Sequence, residues 1–128
     1  MTLNNGVLDI LTGQFKEHTP DNLTLTKLPI DYVPDARCSA IDSFFKSLVY
    51  RNNLPDLYET IALCLLKTWT FKKAVLLNGN TDAGKSTYIR LLVRFLGEEN
   101  CSFESLQSLA NDKFSGSTLY GKLLNTYA

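Results

Sequence analysis

The first 34 residues of the chain carry only short apolar runs. Residues 6–10 form a brief β-prone run, a turn signal follows at Thr12 and Gly13, and Phe15 is placed to begin a returning strand. The segment that follows is rich in loop-forming residues. We therefore predict short strands and loops over residues 1–34.

A helical pattern begins after Pro34. Apolar residues recur at i, i+3, i+4, i+7 and i+8, which gives a helix one face for a core. These residues are Ile41, Phe44, Phe45, Leu48 and Val49. At the start of this helix Ser39 and Asp42 offer a capping box, while Asp35 is a competing N-cap.

A second helix is predicted beyond a break at residues 51–53. Pro55 suits its first turn, where a missing N–H costs nothing. Its apolar face consists of Leu57, Tyr58, Ile61, Ala62, Leu65, Leu66 and Trp69. The register of Trp69 with this face favours core packing over base stacking. The two helices predict a helical hairpin over residues 35–70.

A third pattern predicts a strand, a loop and a helix in succession. Residues 74–77 are a continuous apolar run, typical of a strand buried on both faces of a parallel sheet. A helical stripe follows on Ile89, Leu91, Leu92, Phe95 and Leu96, and Gly97 stands where a helix often ends. Between strand and helix, residues 79–86 fit G-x-x-x-x-G-K-[ST], the P-loop or Walker A pattern.

The residue types of this loop predict phosphate binding. Gly79 and Gly84 can adopt backbone angles that let successive N–H groups point at a phosphate, and the helix N-terminus adds partial positive charge. Lys85 is the candidate catalytic residue, reaching the β- and γ-phosphates of ATP, and the Ser86 hydroxyl is the candidate Mg²⁺ ligand. The predicted nucleotide-binding residues are Gly79, Asn80, Thr81, Asp82, Ala83, Gly84, Lys85, Ser86 and Thr87. Of these, Thr87 is expected to pack or cap rather than to bind the metal.

Composition excludes several other classes of site. The 13 basic and 13 acidic residues balance, so there is no excess of basic residues to indicate nucleic-acid binding. The three cysteines are far apart and form no C-x-x-C pair, which favours reduced thiols in a cytoplasmic protein over a zinc site or a disulfide framework. His18, the only histidine, is interpreted as a loop residue. No signal peptide and no apolar run long enough to span a membrane is found in the sequence.

The order of motifs resembles superfamily 3 helicases of the phage, plasmid and large-DNA-virus primase-helicase type. The matching segments extend over nearly the whole chain: residues 5–9, 18–20, 31–36 with Cys38, the Walker A loop, 96–100, Phe114 and 119–123. The loop departs in detail, because many relatives have Gly at the place of Thr81 and Asn at the place of Ala83. These departures leave the phosphate-binding elements in place.

The resemblance implies a P-loop ATPase of AAA+-like fold that assembles as a hexameric ring and translocates on DNA. In the family, the strand that begins near Leu123 ends in the Walker B acids, which hold Mg²⁺ and position the attacking water. No acidic residue follows Leu123 in this sequence. The sensor, arginine finger and DNA-gripping hairpin would lie further downstream. The resemblance therefore implies binding of nucleotide without hydrolysis or unwinding by these 128 residues.

Together these patterns predict an α/β protein in three parts. Residues 1–34 form short strands and loops, 35–70 a helical hairpin, and 71–128 an incomplete P-loop parallel-sheet core, with short strands expected at 101–103 and from Lys122. We expect ATP and Mg²⁺ as cofactors, and helicase subunits or further copies of the chain as partners. Two alternatives stay open: a non-catalytic remnant or split-gene product that binds nucleotide or helicase subunits, and a small-molecule P-loop kinase.

Overall fold

The computed structural model describes residues 1–66, 74–111 and 115–127. Contacts divide the chain into two compact units. One unit is discontinuous in sequence and comprises Met1–Val33 and Val93–Ala128, and the other is Pro34–Leu92.

The N-terminal part of the discontinuous unit is a small antiparallel hairpin, as predicted. Strand β1 (Val7–Leu8) pairs with β2 (Phe15–Lys16). The carboxylate of Asp9 closes the turn by accepting a hydrogen bond from the backbone N–H of Leu11 at 2.9 Å. Gly13 has a φ of 71°, which glycine adopts without steric cost.

A second sheet lies in the C-terminal part of the same unit. Strand β3 (Cys101–Glu104) pairs in parallel with β4 (Leu124–Tyr127). Parallel strands require a crossover connection, and here it contains helix α4 (Leu106–Asn111) and a 3₁₀ turn at Ser115–Leu119. Both short strands expected from the sequence are confirmed, and they give the chain the mixed helix and strand character of an α/β protein.

Asn100 joins the segments of the discontinuous unit. Its side chain is buried, and its amide donates to the backbone carbonyl oxygens of Lys27 at 2.8 Å and Leu96 at 2.7 Å. The backbone carbonyl oxygen of Asn100 accepts a hydrogen bond from the backbone N–H of Leu123 at 2.7 Å. The apolar core around it consists of Leu3, Leu28, Leu96 and Cys101.

The second unit begins with the predicted helical hairpin. Helix α1 (Ser39–Leu48) and helix α2 (Leu54–Leu65) are separated by a 3₁₀ turn at Arg51–Asn53, and Pro55 lies in the first turn of α2. The ring of Phe45 is fully buried. The hairpin is therefore confirmed over the described residues, whereas Trp69 lies outside them.

The predicted caps of α1 are wrong. The N-cap is Cys38, in extended conformation and without a side-chain cap hydrogen bond. Ser39 is thus already the first helical residue, one position too late for a capping box. The Asp42 carboxylate instead accepts a hydrogen bond from the Tyr58 hydroxyl on α2 at 2.6 Å.

The predicted buried strand at residues 74–77 is also wrong. Residues 74–80 have no regular secondary structure, and the side chains of Val75 and Leu76 are 53% and 89% exposed. A strand exists only through hydrogen bonds to a neighbour, and within the described residues no strand pairs with this segment. The helix predicted after residue 84 is nevertheless confirmed as α3 (Lys85–Leu96), and Gly97 follows it with a φ of 88°.

Candidate phosphate-binding loop

The loop from residue 79 to residue 84 turns tightly before α3 begins. The N–H of Ala83 donates to the carbonyl oxygen of Asn80 at 3.3 Å. Asp82 and Gly84 have positive φ values of 61° and 82°. Aspartate and glycine are among the residues that tolerate this region best. Of the two loop glycines, Gly84 thus adopts the left-handed conformation expected from the sequence, whereas Gly79 does not.

The side chain of Lys85 folds back over the loop. Its Nζ donates hydrogen bonds to the carbonyl oxygens of Gly79 at 2.7 Å and Asn80 at 2.6 Å. These contacts close the loop on itself around a cation. An ammonium group carries three donor hydrogens, so Lys85 can hold both carbonyls and still donate to an anion.

The first turn of α3 offers further donors. Within the described part of the chain, the backbone N–H groups of Lys85, Ser86 and Thr87 have no hydrogen-bond acceptor, and Tyr88 is the first residue of α3 whose N–H is bonded, to Gly84 at 2.9 Å. Such unsatisfied amides give a helix N-terminus its partial positive charge. Ser86 and Thr87 are also exposed, so their hydroxyls are accessible. The arrangement is suited to binding an anion.

The helical hairpin supports this end of α3. Tyr88 is 1% exposed and its hydroxyl donates to the carbonyl oxygen of Leu57 on α2 at 2.7 Å. The ring of Phe45 on α1 contacts the Tyr88 ring edge-on, with centroids 5.6 Å apart. Burial raises the pKa of the Tyr88 hydroxyl above its ordinary value. Buried and hydrogen-bonded, Tyr88 anchors the turn of helix that follows the loop.

Tyr88 is not among the residues predicted from the sequence, although the hydrophobic pattern contains a signal for it. Tyr88, Leu92 and Leu96 lie four residues apart, and all three are buried. The apolar stripe predicted from the sequence contains Ile89, Leu91, Leu92, Phe95 and Leu96. It omits Tyr88, the most polar of the residues on this face. Extending the i, i+4 spacing one step towards the N-terminus identifies Tyr88.

The remaining candidate residues do not form a metal site within the part of the chain that is described. No group of three or more His, Cys, Asp or Glu side chains in residues 1–66, 74–111 and 115–127 is placed to hold a metal ion. His18 is an exposed loop residue whose Nε2 lies 3.1 Å from the carbonyl oxygen of Asn4. Cys38 and Cys101 are free cysteines, and burial raises the pKa of the Cys101 thiol. No helix in the part described is long and apolar enough to cross a membrane.

Comparison with known families gives a match over the N-terminal part of the chain. Residues 2–49 match the family described as D5 N terminal like. That family is the N-terminal domain of phage and viral D5 primase-helicases, so the match supports a phage or viral primase-helicase family and a context of DNA replication. The D5-like segment contains the β1–β2 hairpin and α1, while the candidate loop lies outside it. No curated protein matches the chain.

Proposed function

We propose that residues 79–87 bind the phosphates of a Mg-nucleotide, and that the chain is the ATP-binding part of a DNA-replication protein of the superfamily 3 primase-helicase type. The observation that carries this proposal is that two kinds of hydrogen-bond donor, backbone amides and an ammonium group, occur together in the loop and the first turn of α3. The amides of Lys85, Ser86 and Thr87 lack acceptors within the described residues, and the Lys85 ammonium group is held on the carbonyl oxygens of the loop that precedes them. A phosphate chain is the ligand that such a set of donors suits best.

Each residue has a definite task in this proposal. The amides at the start of α3 bind phosphate oxygens, and Gly84 allows the chain to turn into the helix. Lys85 adds a full positive charge against the β- and γ-phosphates. Ser86, exposed at the first turn of α3, is the hydroxyl that would hold Mg²⁺. Mg²⁺ supplies charge neutralisation between the phosphates when it is bound.

We further propose that these 128 residues bind ATP without hydrolysing it at an appreciable rate. Phosphoryl transfer depends on a carboxylate that holds Mg²⁺ or orients the attacking water. The resemblance would place that carboxylate at the end of β4, yet β4 has the sequence Leu-Asn-Thr-Tyr and carries none. We propose helicase subunits or further copies of the chain, arranged in a ring on DNA, as its partners.

Titration calorimetry tests the binding proposal. Mg-ATP and Mg-ADP are titrated into the wild type, into Lys85→Ala and into the control Lys46→Ala, which removes an exposed lysine from the last turn of α1. We expect saturable binding to the wild type and to Lys46→Ala, and its loss in Lys85→Ala. Circular dichroism verifies that all three proteins are folded. A folded wild type that binds neither nucleotide would overturn the proposal and favour a remnant or scaffold.

A steady-state phosphate-release assay tests the second proposal. Purified wild type is compared with Lys85→Ala at saturating Mg-ATP. We expect equal, background rates for the two proteins. A wild-type rate that Lys85→Ala abolishes would show that hydrolysis needs no carboxylate on β4.

A further inference from the structure

The first turn of α3 is in direct contact with the last turn of α1. Leu48 is the final residue of α1, and its Cδ2 methyl group lies too close to the position of a Cβ on Gly84 for both atoms to fit. The Cε2 atom of Phe44, one turn earlier on the same face of α1, would lie 3.6 Å from that Cβ. The backbone of the loop at Gly84 therefore packs closely against the side chains of Leu48 and Phe44.

The other side of this turn is fixed as well. Tyr88 lies one helical turn beyond Gly84, and its hydroxyl is bonded to the carbonyl oxygen of Leu57 at 2.7 Å. The N–H of Tyr88 bonds back to Gly84 at 2.9 Å. Leu48 and Leu57 thus restrain both ends of the turn whose amides face the candidate phosphate site.

We propose that Leu48 is a positioning residue for nucleotide binding, through which the helical hairpin sets the affinity of the loop. This inference rests on the proposed nucleotide-binding function. Gly84 is held at a φ of 82°, and the Leu48 methyl group takes up space that a Cβ on Gly84 would need. Truncating Leu48 leaves a gap into which the loop can relax, so a smaller fraction of molecules presents the amides in the receptive arrangement. The apparent dissociation constant rises in inverse proportion to that fraction.

Regulation of the site follows from the same contact. The end of α1 and the start of α3 share one packing arrangement, so a nucleotide that fixes the loop also fixes the end of α1. By thermodynamic linkage, any partner that shifts α1 must change nucleotide affinity by the same factor by which nucleotide changes affinity for that partner. The arrangement of the helical hairpin would therefore depend on whether nucleotide is bound.

The test compares two truncations on the same helix. Leu48→Ala removes the contact with Gly84. Ile41→Ala removes a half-buried side chain from the same apolar face, two turns away, and Ile41 is not among the atoms nearest to Gly84. Leu48→Met conserves volume and serves as the rescue variant. Affinity for Mg-ATP is measured by calorimetry, and the free energy of unfolding of each variant by urea denaturation.

We expect Leu48→Ala to raise the dissociation constant about tenfold, which corresponds to a tenfold fall in the receptive fraction. Ile41→Ala and Leu48→Met should stay within about twofold of the wild type. If Leu48→Ala does not fold, Leu48→Val makes the same comparison with a smaller truncation. Equal affinities for the Leu48 and Ile41 truncations would overturn the positioning role while leaving the nucleotide site intact. A wild type that does not bind would overturn the site itself.

Discussion

The side-chain amide of Asn100 donates a hydrogen bond at 2.8 Å to the backbone carbonyl oxygen of Lys27, 73 positions earlier in the chain. The same amide donates to Leu96 at 2.7 Å. One buried side chain therefore satisfies a carbonyl from the N-terminal segment and a carbonyl from the last turn of α3. These two bonds tie together the parts of a unit that is discontinuous in sequence.

Replacing Asn100 tests this arrangement. Asn100→Ala should lower the free energy of unfolding by about 2 kcal/mol, because a buried hydrogen bond to Leu96 and a partly buried one to Lys27 are lost. The matched control is Asn22→Ala, which removes an exposed amide that donates to the Thr19 hydroxyl at 2.8 Å. The control should change stability by less than about 0.5 kcal/mol. Urea denaturation measures both, and equal losses would contradict the structural role of Asn100.

The hydroxyl of Tyr88 gives a second prediction. Tyr88→Phe keeps the ring packed on Phe45 but leaves the Leu57 carbonyl oxygen without its donor. We expect a loss of about 1–2 kcal/mol. Tyr120→Phe is the control, because the Tyr120 side chain is 84% exposed. The prediction fails if the two phenylalanine variants unfold at the same urea concentration.

A third prediction concerns alkaline pH. Burial holds the pKa of Tyr88 above its ordinary value of 10.0. As pH rises past that value, the unfolded chain loses the proton first, so the native state binds more protons and stability falls with increasing pH. The contribution is complete below the unfolded pKa and disappears as pH rises through the folded one. We therefore expect the free energy of unfolding to decline more steeply above pH about 10 in the wild type than in Tyr88→Phe.

The pH comparison isolates Tyr88 from a second tyrosine. A hydrogen bond to the Asp42 carboxylate raises the pKa of Tyr58, and this group is present in both proteins. Its contribution therefore cancels in the difference between wild type and Tyr88→Phe. Parallel curves for the two proteins above pH 10 would contradict a raised pKa at Tyr88.

The fourth prediction compares two glycines with similar backbone angles. Gly84 and Gly121 have φ values of 82° and 76°, and a side chain at either costs about 1–2 kcal/mol in backbone strain. A Cβ at Gly121 meets no atom within 4 Å, whereas one at Gly84 collides with Leu48. Gly84→Ala should therefore be more destabilising than Gly121→Ala in thermal or urea unfolding. Adding Leu48→Ala should reduce the cost of Gly84→Ala, because the collision is removed and only the backbone strain is left.

The sequence predicted elements whose hydrogen bonds are local. The apolar spacing of Phe45 and its neighbours identified α1, and Pro55 marked the start of α2, because a helix satisfies its own backbone. The run at residues 74–77 has the composition of a buried strand. A strand forms only through hydrogen bonds to an adjacent strand, however, and composition does not show whether such a strand is present. The contact between Asn100 and Lys27 could not be predicted from the sequence for the same reason, since no periodicity connects residues so far apart.

The candidate site was predicted only as a motif. The pattern from Gly79 to Ser86 located the turn and the start of α3, and the left-handed conformation of Gly84 agrees with it. Nothing in the pattern indicated that Lys85 would lie on the carbonyl oxygens of the loop, or that Leu48 would pack against Gly84. These are contacts across the fold, decided by how α1 and α3 meet.

The chain order of the discontinuous unit has a consequence for synthesis on the ribosome. Leu3 and Leu28 are each 1% exposed in the finished fold. Asn100 is added 73 residues after Lys27, a delay of roughly 4–15 s at ordinary rates of translation. The segment Pro34–Leu92 is complete before then. During that interval the nascent segment Met1–Val33 lacks the hydrogen bond from Asn100 and the later residues of its own unit, so we expect it to be accessible to chaperones and proteases.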